Sequence, residues 1–163
     1  MSARRLIATF TLLLAFTAAA QAELRRGDGT ANTFAGTPQS DEYWGYGGND
    51  ALYGLGANDK LYGGPGNDEL AGGLGADAIH SGRGNDRVRA GRGSDRVWGS
   101  RGEDLIRAGY GADTLKSGPG NDRVRAGHDD SAHDYVDCGA GNDQAVIHAG
   151  DTAVSCESLE TVP

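Results

Sequence analysis

The stretch GGPGNDELAGGLGADAIH, residues 63–80, is one pattern written twice: nine residues with Gly at positions one, two and four, Asp at six and a large apolar residue at eight. The register continues forward through SGRGNDRVR, AGRGSDRVW, GSRGEDLIR, AGYGADTLK and SGPGNDRVR to Arg125, and backward through GLGANDKLY, GYGGNDALY, GTPQSDEYW and GDGTANTFA to Gly27. A unit this short cannot enclose a core, so successive units must stack and bury one another.

The sixth position reads Asp41, Asp50, Asp59, Asp68, Asp77, Asp86, Asp95, Asp104, Asp113 and Asp122; the eighth reads Tyr43, Leu52, Leu61, Leu70, Ile79, Val88, Val97, Ile106, Leu115 and Val124. One apolar residue between two outward-facing neighbours is the alternation of a strand, here three residues long. The glycines serve a tight turn that presents carbonyl oxygens and needs backbone angles costly for other residues. Carboxylate beside carbonyl is the donor set that calcium prefers. Turn formation alone explains each aspartate singly, but not why the acid never leaves the sixth position.

The chain has 163 residues, 28 of them Gly, with only two Trp, six Tyr and three Phe, which argues against a conventional large-residue core. Basic MSARR, the apolar run LIATFTLLLAFTAAA and the small residues of AQA predict a secretory leader over residues 1–22, cleaved after Ala22. No second apolar run follows, so no membrane span is expected after cleavage. Cleavage removes two arginines and no acid, taking the formal charge from −8 to −10. That balance excludes nucleic acid as a partner and favours cations.

At the level of the nonapeptide, GGPGNDELA resembles the G-G-x-G-x-D-x-U-x unit of the repeats-in-toxin (RTX) family, U being a large apolar residue. The resemblance implies an all-β, right-handed parallel β-roll with two repeats per 18-residue coil and turns alternating between two edges. It also implies calcium ions held between a turn and the turn two repeats later. Carried onto this chain, the ligands are Asp50, Asp59, Asp68, Asp77, Asp86, Asp95, Asp104, Asp113 and Asp122. Backbone carbonyls near Gly64, Gly66, Gly73, Gly75, Gly82, Gly84, Gly91 and Gly93 complete the set. Asp68 with Asp86, and Asp86 with Asp104, share ions on one edge; Asp77 with Asp95, and Asp95 with Asp113, on the other. Asn32 replaces the first acid, and Gln39 and Ala57 replace fourth-position glycines, so sites before about residue 45 are not expected.

On such a roll Cys138 and Cys156, 18 residues apart, would be stacked neighbours within disulfide reach, stapling the last coil. The chain thus divides into the leader 1–22, a degenerate N-terminal cap 23–35, calcium-binding repeats 36–125 and an irregular C-terminal cap 126–163. In that cap the insertion HDDSAHD, with His128, Asp129, Asp130, His133 and Asp134, is read as a polar loop, and Thr152 stands where the last acid is expected. No catalytic residues are assigned, because the repeats consume the mature chain. The expected function is extracellular calcium binding by a bacterial, secreted, non-catalytic module. The alternative is a calcium-dependent adhesin whose outer arginines, Arg87, Arg89, Arg107, Arg123 and Arg125, meet a glycan or cell-surface polymer, with Arg96, Trp98 and Lys116 on the opposite face.

Overall fold

The computed structural model describes residues 21–127 and 132–162, and every regular element among them is a strand. The expected leader lies outside this range except for its last two residues, as do His128, Asp129 and Asp130. The chain alternates between two eight-stranded parallel sheets. The first contains β1 (Leu24–Arg26), β3 (Glu42–Trp44), β5 (Lys60–Pro65), β7 (Ala78–Arg83), β9 (Arg96–Arg101), β11 (Thr114–Pro119), β13 (Tyr135–Ala140) and β15 (Thr152–Val154), in that order. The second contains β2 (Thr33–Ala35), β4 (Ala51–Gly56), β6 (Glu69–Leu74), β8 (Arg87–Arg92), β10 (Leu105–Tyr110), β12 (Arg123–Arg125), β14 (Gln144–His148) and β16 (Ser158–Val162). This is a parallel β-solenoid of about eight turns, with two nonapeptides per coil.

Leu61 pairs with Ile79 and Leu70 with Val88, a register of 18 residues. Each eighth-position side chain therefore lies directly over its counterpart, and Leu52, Leu61, Leu70, Ile79, Val97, Ile106 and Leu115 are fully buried. Burying such a side chain is worth about 1.5–3 kcal/mol, and the stack supplies it once per repeat.

The central strands are six residues long, not the expected three. They continue through positions nine, one, two and three, because position one also faces inward. It carries only small residues there, among them Gly72, Ser81, Ala90, Ala108 and Ser117. The buried hydroxyls are satisfied: Ser81 Oγ donates to the Gly99 carbonyl at 2.8 Å and Ser117 Oγ to that of Cys138 at 2.6 Å.

The three extra residues after Arg125 are absorbed at one step, where Leu115 pairs with Val136. The last coil is shorter: Tyr135 pairs with Thr152 and Gln144 with Ser158. Cys138 consequently falls opposite Ser155 rather than opposite Cys156, yet the disulfide forms, with the Cα atoms 5.2 Å apart. For a loop of this length the bond contributes about 3 kcal/mol.

Ninth positions of the first sheet stack Trp44, Tyr62, His80 and Trp98, with successive centroids 4.0, 5.0 and 4.2 Å apart and rings within 16° of parallel. Sequence reading placed Trp98 outside but did not find this column, because the order Trp, Tyr, His, Trp is not a repeat and only the coil aligns them.

Candidate metal centre

Between one six-residue strand and the next lie three residues, the last being the sixth-position aspartate. The coil returns equivalent turns to the same edge. Asp50, Asp68, Asp86, Asp104, Asp122 and Asp143 form one column; Asp41, Asp59, Asp77, Asp95, Asp113, Asp134 and Asp151 form the other. One hydrogen bond recurs along both: an aspartate's backbone N–H donates to Oδ1 of the aspartate one coil later, as from Asp68 to Asp86 and from Asp77 to Asp95, each at 2.8 Å, while Asp143 donates to Glu157 Oε2 instead. All nine aspartates expected as ligands stand in these columns, and all are buried.

The columns run further than sequence reading took them. Asp113 N–H meets Asp134 at 2.8 Å, Asp122 N–H meets Asp143 at 2.8 Å, and Asp134 N–H meets Asp151 at 2.9 Å. Asp134 thus belongs to the aspartate column rather than to a polar loop. Thr152 does not hold the acid position; Asp151 does, because the shortened last coil moves the acid forward by one residue.

The other carboxylate oxygen decides the chemistry. Oδ2 of Asp50, Asp59, Asp68, Asp77, Asp86, Asp95, Asp104, Asp122 and Asp143 is buried without a hydrogen-bond partner. A buried oxygen left so costs about 1–3 kcal/mol even when uncharged, and more as a carboxylate. At both ends of the second column the protein supplies donors instead: Thr37 N–H gives Asp41 Oδ2 a 2.7 Å bond, and His148 N–H does the same for Asp151. The other column is left open: Asp50 and Asp143, at its two ends, keep orphaned Oδ2 atoms like the members between them.

Burial pushes the Asp77 and Asp104 carboxyls up to about 7 and those of Asp59, Asp68, Asp86 and Asp95 up to about 6. The N–H from the preceding coil pulls each partly back, while neighbouring aspartates raise Asp68, Asp77 and Asp104 further. Because an unfolded aspartate titrates near 3.9, the folded chain binds more protons than the unfolded one between about pH 4 and 7. Stability of the metal-free roll therefore falls as pH rises through that window. In metal-free buffer, the far-UV β signal is expected to be strongest near about pH 4 and to decline by pH 7.5. A signal independent of pH over this range contradicts the burial of the carboxylates.

Carbonyl oxygens occupy the same turns. A Cβ added to Gly82, Gly84, Gly91 or Gly93 would collide with the carbonyl oxygen of Gly64, Gly66, Gly73 or Gly75, one coil earlier. These turns pack backbone against backbone, in conformations with φ from +110° to +149° at Gly64 and Gly66. Among the described residues no group of three or more His, Cys, Asp and Glu side chains converges on one point. The donors on offer are thus carboxylate oxygens from successive coils with backbone carbonyls, an all-oxygen set that fits calcium.

Sequence reading missed the fifth position. Asn49, Asn67 and Asn85 each accept, through Oδ1, the N–H of the fifth-position residue one coil later, at 2.8–3.0 Å. The signal was present as Asn recurring every 18 residues, hidden because the other edge has Ala76, Ser94 and Ala112 there.

Fold and site together define a cation-binding β-solenoid. A family model for the RTX calcium-binding nonapeptide repeat (4 copies) matches at residues 26–61, 44–79, 71–106, 89–124, 98–131 and 107–145, and the chain belongs to that family. Calcium binding by a structural repeat module follows from this membership. No curated protein matches the chain.

Proposed function

We propose that the protein is an extracellular calcium-binding module that folds when calcium neutralises its two aspartate columns and that carries no catalysis of its own. The observation behind this reading is the row of orphaned Oδ2 atoms, repeated coil after coil on both edges. Bound calcium supplies positive charge and oxygen coordination to these turns. The chain's part is to hold Asp68, Asp86 and Asp104 on one edge and Asp77, Asp95 and Asp113 on the other, with their backbones tied by the N–H to Oδ1 bonds. Carboxylates about 4.8 Å apart repel by roughly 1 kcal/mol per pair even in water, and more when buried. Ligands brought together only by folding couple binding to folding. Affinity in the range of extracellular modules, about 10⁻⁴ to 10⁻³ M, would leave the chain unfolded at cytosolic calcium and folded outside.

Far-UV circular dichroism of residues 23–163 during a calcium titration tests this, with magnesium as control. A disordered spectrum converting to β structure with calcium alone is the expected outcome. A spectrum already β-rich in chelator at pH 7.5 and indifferent to calcium overturns it.

A further inference from the structure

The outer faces of the two sheets are built from the same repeat positions but carry different chemistry. On the second sheet, Arg89, Arg107 and Arg125 are paired in register on β8, β10 and β12, one above another, and Arg87 and Arg123 flank Leu105 in the same way. All five arginines are exposed. The equivalent positions on β7, β9 and β11 hold Ala78, His80, Arg96, Trp98, Thr114 and Lys116. Arg89 is paired with Glu69, Nη1 to Oε1 at 2.8 Å; among the described residues Arg107 and Arg125 have no acidic partner. A chain of net charge −8 has thus gathered like charges about one strand spacing, ~4.8 Å, apart. Such a row disfavours the free protein and becomes favourable when an anion spans it.

A groove follows this row. Its floor is Gly73, Gly91 and Gly109, which pair in register across the strands and put no side chain above the sheet. One wall is Arg89 and Arg107; the other is Leu74, Arg92 and Tyr110 in register, with Leu74 and Tyr110 56% and 43% exposed. Arg92 lies 5.3 Å over the Tyr110 ring and holds it in place. This part of the groove measures about 440 Å³. A second hollow of about 210 Å³ shares Arg107 and Gly109 and extends the groove to Arg125 and Gly127.

We infer that this groove binds a linear acidic polysaccharide, its sulfate or carboxylate groups on the arginine row and the apolar faces of its sugars against Leu74 and Tyr110. The row's repeat is close to the length of one sugar in an extended chain, so acids recurring along the polymer meet successive guanidiniums. Arginine rather than lysine suits the task, since its planar fork takes two oxygens of one anionic group. The apolar wall favours a sugar polymer over a bare polyphosphate. The inference rests on the roll being folded, and deepens the reading of a binding module by naming its partner class.

The test is isothermal titration calorimetry in calcium with a heparin oligosaccharide of defined length. Neutral dextran and an oligothymidylate are the control polymers, and circular dichroism confirms the fold of each variant. Wild type is expected to bind the heparin oligosaccharide saturably, more tightly than the oligothymidylate, and to ignore dextran. Arg107→Gln with Arg125→Gln is expected to weaken binding about tenfold or more, the loss of two charge-assisted contacts. Tyr110→Ala is expected to weaken it several-fold with an unchanged salt dependence. Arg96→Gln with Lys116→Gln, the same charge change on the other sheet, should leave it intact. Absence of saturable binding, equal losses from both charge variants, or tighter binding of the oligothymidylate each overturns the inference. If the roll proves folded in chelator, the same titration run there still tests the groove, so failure of the calcium reading is told apart from failure of this one.

Discussion

An Asp86→Ala, Asp95→Ala double variant is expected to need about tenfold more calcium than wild type, or more, to reach half of its β signal, with a shallower transition; tenfold corresponds to about 1.4 kcal/mol. One residue comes from the middle of each column, so both edges lose a ligand from the turns above and below. Alanine also removes the Oδ1 that receives the N–H of Asp68 or Asp77, each 2.8 Å away, so instability could arise without calcium being involved. Asp86→Asn with Asp95→Asn separates the two causes. The amide oxygen keeps the hydrogen bond while the charge is lost. Because burial holds both carboxyls up at about 6, neutral side chains should stabilise the calcium-free roll at pH 7.5 while still weakening calcium binding. If the asparagine variant titrates with calcium as wild type does, these aspartates are not ligands.

Gly91→Ala is expected to cost about 3 kcal/mol, the upper part of the range for a backbone held in a disallowed region. Its φ is +126°, and the added Cβ would collide with the Gly73 carbonyl oxygen of the coil before. Neither atom can step aside, since both belong to the backbone of packed turns. Ser100 offers the opposite change at an equivalent second position, with φ of +81° on a residue that has a side chain. Ser100→Gly should therefore be neutral or stabilising by up to about 1 kcal/mol, the relief of left-handed strain set against the extra freedom of glycine when unfolded. Thermal unfolding in saturating calcium reads both. A Gly91→Ala variant as stable as wild type would mean that the turns are not close-packed between coils.

Much of the fold was legible because a nine-residue period leaves few alternatives. Apolar residues at the eighth position and acids at the sixth are local choices, and a local choice repeated identically can be satisfied only by a structure that repeats. The strand length was misjudged for a reason that the same residues explain. The inward first position is filled by Gly, Ser or Ala, small residues that do not read as core until a facing sheet limits the space. The columns continue through Asp134 and Asp143, which keep the sixth-position pattern past an insertion, and reach Asp151 through a shortened coil that hid it. In both places the spacing along the chain changed while the spacing in space did not.

By itself, the sequence determined the repeat, the need for its units to stack and the constant place of the acid and the apolar residue, because each depends on spacing within or between identical units. Only the tertiary structure decided what lies side by side across coils. It left one carboxylate oxygen of Asp59, Asp68, Asp77, Asp86, Asp95, Asp104 and Asp122 without a donor and closed Asp41 and Asp151, the ends of one column, with Thr37 and His148. It also aligned Trp44, Tyr62, His80 and Trp98 into one column and laid an arginine row beside an apolar wall over a glycine floor. The physical reason is register. A nonapeptide states which way each side chain points, but which side chains become neighbours is fixed by how many residues each coil contains.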